Sequence, residues 1–81
     1  MDSILQKLID IAAAEFQVDA STLSGASTPD DVRGWDSESQ LRLVMATEDS
    51  FGVSFDIEDF EKITSLNALA AMVAQKRAVS R

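Results

Sequence analysis

The sequence predicts an all-α protein, a small four-helix bundle with three longer helices, one short helix and a long loop between helices one and two. Three observations predict this fold. Apolar residues recur at helical spacing in three stretches. Those from Val53 to Ile57 have the spacing of two that is typical of strands, but the apolar residues after them return to a spacing of three. In addition, 46% of the 81 residues are hydrophobic, which is enough for a core. We expect residues 1–77 to form a single domain and residues 78–81 to form a C-terminal tail.

The predicted first helix runs from Ser3 to Phe16, and Ser3 with Gln6 has the pattern of a capping box. Residues 17–36 then lose the helical period and collect glycine, proline, serine and aspartate, which indicates a loop. Within this loop, the segment 28–31 has the pattern of one short helical turn. The apolar residues expected to anchor the loop to the core are Val18, Leu23, Val32 and Trp35.

The predicted second helix runs from Ser37 to Phe51, and Gly52 is placed to end it. The residues expected on its inward side are Leu41, Val44, Met45 and Phe51. An extended link then leads into a short third helix over residues 57–62. A last amphipathic helix is predicted over residues 65–77 and ends in two cations, which suit the negative end of the helix dipole.

The composition excludes several classes of function. Fourteen acidic residues stand against seven basic ones, and a net charge of −7 repels nucleic acid and anionic membranes while it favours basic protein partners. Histidine, cysteine and tyrosine are absent, which removes the usual general base, the thiolate nucleophile, the zinc site and the disulfide. The first residues resemble neither a signal peptide nor a membrane span. We expect a cytoplasmic monomer that binds neither nucleic acid nor membrane.

The acids between Asp56 and Glu61 invite a calcium site. An EF-hand loop needs glycine at its sixth position and glutamate at its twelfth, and counting from Asp56 these positions hold Glu61 and Asn67. We therefore reject an EF-hand, predict no metal site and interpret the cluster as a solvated acidic surface, with weak divalent binding on this face as the alternative.

The strongest candidate for chemistry is the run Gly34-Trp35-Asp36-Ser37, directly before the second helix. Free N–H groups and the helix dipole make a helix N-terminus an anion site, so a phosphate esterified to Ser37 would be stabilised there. From this local pattern alone, the favoured interpretation is that Ser37 is a plain N-cap, with Gln40 completing a capping box. As a nucleophile it would have only a carboxylate or a lysine to activate it. Trp35 is interpreted as a loop anchor.

The Asp36-Ser37 pair at a helix start, the Phe51-Gly52 turn after that helix and the Thr-Ser-Leu run at 64–66 resemble, in order and spacing, the acyl carrier protein family. The resemblance covers nearly the whole chain. It implies that a phosphopantetheinyl transferase attaches 4′-phosphopantetheine from coenzyme A to Ser37, with Asp36 as the acid beside it. The arm's thiol would then carry an acyl or aminoacyl group as a thioester, and the chain itself would not be an enzyme.

The resemblance also implies a succession of partners, namely the phosphopantetheinyl transferase, a ligase that loads the acyl or aminoacyl group, and downstream synthases or transferases. Residues 30–61 contain ten acids and two bases, a net charge of −8, whereas the remaining residues sum to +1. We expect basic patches of the partners to meet this region. The expected docking residues are Glu38, Arg42, Glu48, Asp49, Asp56, Glu58, Asp59 and Glu61.

Three residues depart from the family pattern. Glu38 stands where leucine commonly follows the serine, Arg42 where many fatty-acid carriers have an acid, and Thr47 where leucine often faces the space that receives an acyl chain. Each buried methylene is worth about 0.8 kcal/mol, so a polar lining at Thr47 predicts a short or polar cargo, such as an aminoacyl group, over a long fatty chain. The alternative places Thr47 on the surface.

Two other classes of function are weighed against the carrier. The first is an acidic helical adaptor that binds a basic protein and has no prosthetic group, but such a protein has no need of Asp36-Ser37 at a helix start. The second is a hydrolase that uses Ser37, for which the sequence offers neither a base nor an oxyanion hole. Both leave the order and spacing of the carrier motifs unexplained.

Overall fold

The computed structural model describes residues 2–79, and within them all regular structure is helical. The α-helices are α1 (Asp2–Phe16), α2 (Ser37–Phe51), α3 (Ile57–Phe60) and α4 (Leu66–Val79). A 3-10 helix, Ala20–Thr22, lies in the connection between α1 and α2. The predicted small bundle, with three longer helices, one short helix and a long loop after the first, is confirmed. The 3-10 helix is an addition that the sequence patterns did not indicate.

The core forms where α1 packs against both α2 and α4. Each of these helices has an apolar stripe at intervals of three or four residues, which places those side chains on one face. The core residues are Leu8, Ala12 and Phe16 of α1, Leu43 and Val44 of α2, and Leu66, Leu69 and Val73 of α4. α1 is therefore the central element that sets the positions of α2 and α4.

Some predicted helix ends were wrong by one or two residues. α1 begins at Asp2, so Ser3 lies inside the helix, and Gln6 donates to Asp10 Oδ1 at 3.3 Å instead of completing a capping box. α3 ends at Phe60 rather than at residue 62. These differences are within the usual uncertainty of a helix end, because caps are only half helical.

α4 begins one residue later than predicted, at Leu66. The Ser65 hydroxyl accepts the N–H of Ala68 at 3.1 Å, as an N-cap does, so Ser65 stands just outside the helix. At the other end α4 continues to Val79, two residues beyond the predicted end of the helix. The rest of the predicted tail, residues 80–81, lies outside the described residues.

The connection between α1 and α2 is pinned by buried apolar residues, as predicted. Leu23, Val32 and Trp35 are buried, and Val18 packs against the core from a half-buried position. The segment 28–31 forms the predicted single helical turn, in which the N–H groups of Asp31 and Val32 both donate to the Thr28 carbonyl, at 2.9 and 3.1 Å.

The same connection also contacts the start of α4. The N–H groups of Leu66 and Asn67 donate to the carbonyls of Ser27 and Gly25, at 3.2 and 2.8 Å. These are N–H groups that a helix cannot satisfy internally, so the loop supplies partners that the first turn of α4 would otherwise lack.

α2 ends at Phe51 and is followed by Gly52 in the left-handed conformation, with φ +67°. The Gly52 N–H donates to the Glu48 carbonyl at 2.8 Å, which satisfies one of the last carbonyls of the helix. This confirms the predicted position of the helix end.

Candidate functional site

Asp36 caps α2, and Ser37 is the first residue of the helix proper. Asp36 Oδ1 accepts the Ser39 N–H at 2.9 Å, and Ser39 Oγ accepts the Asp36 N–H at the same distance. The capping box is therefore Asp36–Ser39, and the alternative in which Ser37 is the cap and Gln40 completes the box was wrong. Asp and Ser are both favoured N-caps. Asp36 is the cap here because the side chain of Ser39, three residues later, accepts the Asp36 N–H in return.

Hydrogen bonds and packing hold the turn before α2 against the core. The buried Ser39 hydroxyl donates to the Gly34 carbonyl at 2.6 Å. Trp35 is 4% exposed and stacks on Phe16 with 5.0 Å between ring centroids, which confirms it as a loop anchor. Gly34 lies so near the Phe16 carbonyl that a Cβ at position 34 would stand 2.5 Å from its oxygen. The chain therefore enters α2 in a fixed direction.

Ser37 is exposed at the positive end of α2. The hydrogen bonds of the cap involve its neighbours Asp36 and Ser39, so they leave the Ser37 side chain out of the capping box. The pKa of Asp36 is lowered, chiefly because its carboxylate accepts the Ser39 N–H, with a smaller contribution from the Arg42 charge. Asp36 is thus ionised at neutral pH, and Ser37 is a hydroxyl in contact with solvent beside a carboxylate and a helix dipole.

Arg42 links α1 to the first turn of α2. Its Nε lies 3.4 Å from Glu15 Oε1, and its Nη1 lies 3.5 Å from Glu38 Oε2. All three side chains are partly exposed, so the pairs contribute at most about 1 kcal/mol each. Arg42 therefore places a positive charge between the acids Glu15 and Glu38, about one turn along α2 from Ser37.

Most of the predicted docking residues lie on the exposed surface. The exposed ones are Glu38, Arg42, Asp49, Asp56, Glu58 and Glu61. Two others are engaged within the fold: Glu48 Oε2 accepts the Phe55 N–H at 2.8 Å, and Asp59 Oδ2 lies 3.0 Å from Lys76 Nζ. The pKa of Asp59 is lowered, first by the hydrogen bond from the Asp56 N–H and then by that from Lys76.

Leu41 and Met45 were predicted to face inward, and this was wrong. They are 48% and 58% exposed, whereas the buried side of α2 is centred on Leu43 and Thr47. Two positions along a helix correspond to a rotation of about 200°, so these two sets of residues lie on opposite faces. Leu41 and Met45 follow Ser37 at intervals of four, and they form an exposed apolar ridge that begins at Ser37.

Thr47 is fully buried, so its alternative placement on the surface was wrong. Its hydroxyl donates to the Leu43 carbonyl at 2.7 Å, one turn earlier in the same helix. The polar group is therefore satisfied inside α2 and needs no partner across the interior. Sequence reasoning could not foresee this internal bond, because it depends on the rotamer.

Among residues 2–79, no helix has both the length and the apolar character that a membrane crossing requires. Nowhere in this part of the chain do three or more acidic side chains come together in a way that could hold a metal ion.

The chain was compared with models of protein families, and residues 6–73 match the phosphopantetheine attachment site family. The matched region extends from the first turns of α1 almost to the end of α4 and includes the start of α2. Proteins of this family carry a covalently attached 4′-phosphopantetheine and are carriers rather than catalysts. An exposed serine at a helix N-terminus fits such a phosphodiester. This chain belongs to the phosphopantetheine attachment site family and is a carrier protein, not an enzyme.

Proposed function

We propose that this protein is a discrete acyl carrier in which Ser37 holds the 4′-phosphopantetheine arm, with Asp36 as the acid beside it. The arm presents an acyl or aminoacyl group as a thioester to partner enzymes in the cytoplasm. One observation carries the assignment: Ser37 is exposed as the first residue of α2, while Asp36 and Ser39 form the cap. The carrier domain covers residues 1–77 and acts as a monomer.

The position of Ser37 suits the chemistry of attachment. The serine oxygen attacks the phosphorus that bears the pantetheine arm, the bond from that phosphorus to the bridging pyrophosphate oxygen breaks, and adenosine 3′,5′-bisphosphate leaves. The serine proton passes to a base of the transferase or to water, and the product is a phosphodiester. That product has a negative charge next to the serine oxygen, and the unpaired N–H groups and dipole at the start of α2 favour an anion there. The protein has no cysteine, so the thiol that forms the thioester belongs to the arm.

Partner enzymes would dock on the face of the protein around Ser37. The exposed acids Glu38, Asp49 and Glu58 attract basic patches, and the apolar ridge of Leu41 and Met45 offers contact area beside the serine. Glu38 stands where carriers commonly have a leucine, so the apolar contact of that leucine is missing. The ridge offers partner enzymes apolar contact one turn further along α2. The partners would be the phosphopantetheinyl transferase, an acyl- or aminoacyl-loading ligase, and downstream synthases or transferases.

The proposed cargo is short or polar, such as an aminoacyl group, rather than a long fatty chain. Thr47 supports this, because it is fully buried and its side chain has less apolar surface than the leucine that is common at this position. A long chain loses about 0.8 kcal/mol for each methylene that finds no apolar cover. Mass analysis of the protein purified from its own host tests the proposal, and a long acyl chain on the arm would refute it.

The attachment site is tested by intact mass. The native protein is incubated with coenzyme A, magnesium and a broad-specificity phosphopantetheinyl transferase, beside the variants Ser37→Ala and Ser50→Ala. Ser50 is an exposed serine near the other end of α2 and serves as the matched control. We expect one phosphopantetheine adduct on the native chain and on Ser50→Ala. An adduct on Ser37→Ala, or none on the native chain, would overturn the assignment.

A further inference from the structure

The side-chain amide of Gln40 links three parts of the molecule. Its Oε1 accepts the indole N–H of Trp35 at 2.9 Å, and its Nε2 donates to the Phe60 carbonyl at 3.1 Å. Trp35 lies in the turn before Ser37, Gln40 in the first turn of α2, and Phe60 is the last residue of α3. One side chain thus joins the entry to the candidate site with the end of α3.

α3 depends on such links because it has only four residues. A helix of one turn is not stable alone, and its last carbonyls have no partner within it. The Phe60 carbonyl accepts from both Gln40 and the Ile63 N–H. At the other end of the segment, Glu48 Oε2 accepts the Phe55 N–H at 2.8 Å. Side chains of α2 therefore tie the segment 55–60 down at both ends.

The two ties lie on the same stripe of α2 as Ser37. Residues 37, 40, 44 and 48 follow at intervals of three and four, which aligns them along one side of a helix. Gln40 and Glu48 are eight residues apart, or about 12 Å along the axis. The segment 55–60 consequently runs beside the stripe that Ser37 begins, and its end at Phe60 lies next to the turn that contains Ser37.

We propose that Gln40 is a positioning residue for phosphopantetheine attachment. It fixes α3 beside Ser37, so that the transferase meets the serine and α3 as one preformed surface. α3 contributes exposed groups to that surface, among them Ile57, which is 84% exposed, and Glu58. A partner that binds a preformed surface does not have to order it, so loss of the tie weakens binding rather than the chemical step. The inference rests on the proposed attachment at Ser37.

Two substitutions separate the bonds of Gln40. Gln40→Leu removes both hydrogen bonds at nearly constant volume. Gln40→Glu keeps an acceptor for Trp35 but replaces the donor to Phe60 with a carboxylate that faces a carbonyl. Steady-state kinetics of the transferase, with the carrier as the varied substrate, should give a KM raised about two- to tenfold in both variants, with kcat unchanged. Amide hydrogen exchange over residues 57–63 should become faster, whereas exchange in α1 should not.

Ala12→Gly is the matched control, because it weakens the fold through α1, where Ala12 is fully buried. Far-UV circular dichroism shows that each variant is folded, because Trp35 emission itself changes when Gln40, the partner of the indole N–H, is replaced. A raised KM in both Gln40 variants, with a native KM in Ala12→Gly, supports the proposal. A native KM in the Gln40 variants, or an equal rise in Ala12→Gly, overturns it. Failure of the native chain to accept the arm would overturn the assignment of Ser37 and this inference with it.

Discussion

The contact between Gly34 and the end of α1 gives the sharpest prediction of stability. Gly34 does not have a positive φ, so alanine meets no backbone strain at this position. The added Cβ would, however, stand 2.5 Å from the Phe16 carbonyl oxygen and 3.3 Å from two further Phe16 backbone atoms. Gly34→Ala therefore tests one physical effect, which is the close approach of two backbone segments.

The size of the effect follows from this distance. Ordinary van der Waals contact begins at 3.4 Å, so the turn and α1 must separate by about 0.9 Å. Backbone shifts of this kind cost about 1–3 kcal/mol. For a domain of this size each kcal/mol lowers the melting temperature by about 4–8 °C, which predicts a fall of about 4–24 °C. The Trp35 stack on Phe16 should loosen as well, because Trp35 follows Gly34 directly.

Thermal unfolding of the native protein and Gly34→Ala, followed by circular dichroism and by Trp35 emission, measures the fall. Gly25→Ala is the matched control. The three atoms nearest to a Cβ at position 25, 2.1 to 2.8 Å away, all belong to the side chain of Asn67, which is exposed and can rotate away, whereas the Phe16 atoms that face position 34 are backbone. We expect the control to melt within about 2 °C of the native protein. A native melting temperature in Gly34→Ala, or an equal fall in both variants, would refute the reasoning.

Two predictions concern charge. Because the folded pKa of Asp36 lies below its ordinary value of 3.8, its ionised form stabilises the fold above about pH 4, and that contribution disappears as the pH falls through the lowered pKa. Asp36→Asn keeps a capping oxygen but loses the charge, so its urea midpoint should lie below the native one at pH 7, and the gap should close as the pH falls through the lowered pKa of Asp36; a gap that is constant with pH would contradict this. Arg42→Gln should lower the unfolding free energy by less than about 2 kcal/mol, because it removes two pairs, with Glu15 and Glu38, that are both partly exposed, and the difference should vanish in 1 M salt. A larger loss, or one that persists in 1 M salt, would show that the side chain packs as well as pairs.

Residues with a single favourable placement could be predicted from the sequence. Gly52 in a left-handed conformation ends α2 where expected, since other residues are strained there. Trp35 and Val32 are buried because apolar residues in a polar loop have few other places to go. The start of α2 was located because glycine and aspartate precede a regular helical pattern.

Residues with two reasonable placements could not be predicted. Asp36 and Ser37 are both good caps, and only the three-dimensional position of Ser39 selects between them. α2 has apolar residues on two faces, so periodicity alone did not show that Leu41 and Met45 are exposed while Leu43 is buried. The links made by Gln40 join residues 20 positions apart, and no local pattern could indicate such a contact.

At the start of α2, the residues that form the helix cap are different from the residue proposed to hold the arm, and this matters for a carrier that is loaded and unloaded in each cycle. If one serine were both helix cap and attachment point, each loading or removal of the arm would be thermodynamically linked to the stability of the helix. Here the cap belongs to Asp36 and Ser39, and the proposed chemistry belongs to Ser37. The bonds that begin α2 are then the same in the free, loaded and unloaded protein. Successive enzymes would meet one unchanging scaffold, and only the group at the end of the arm would tell them which step comes next.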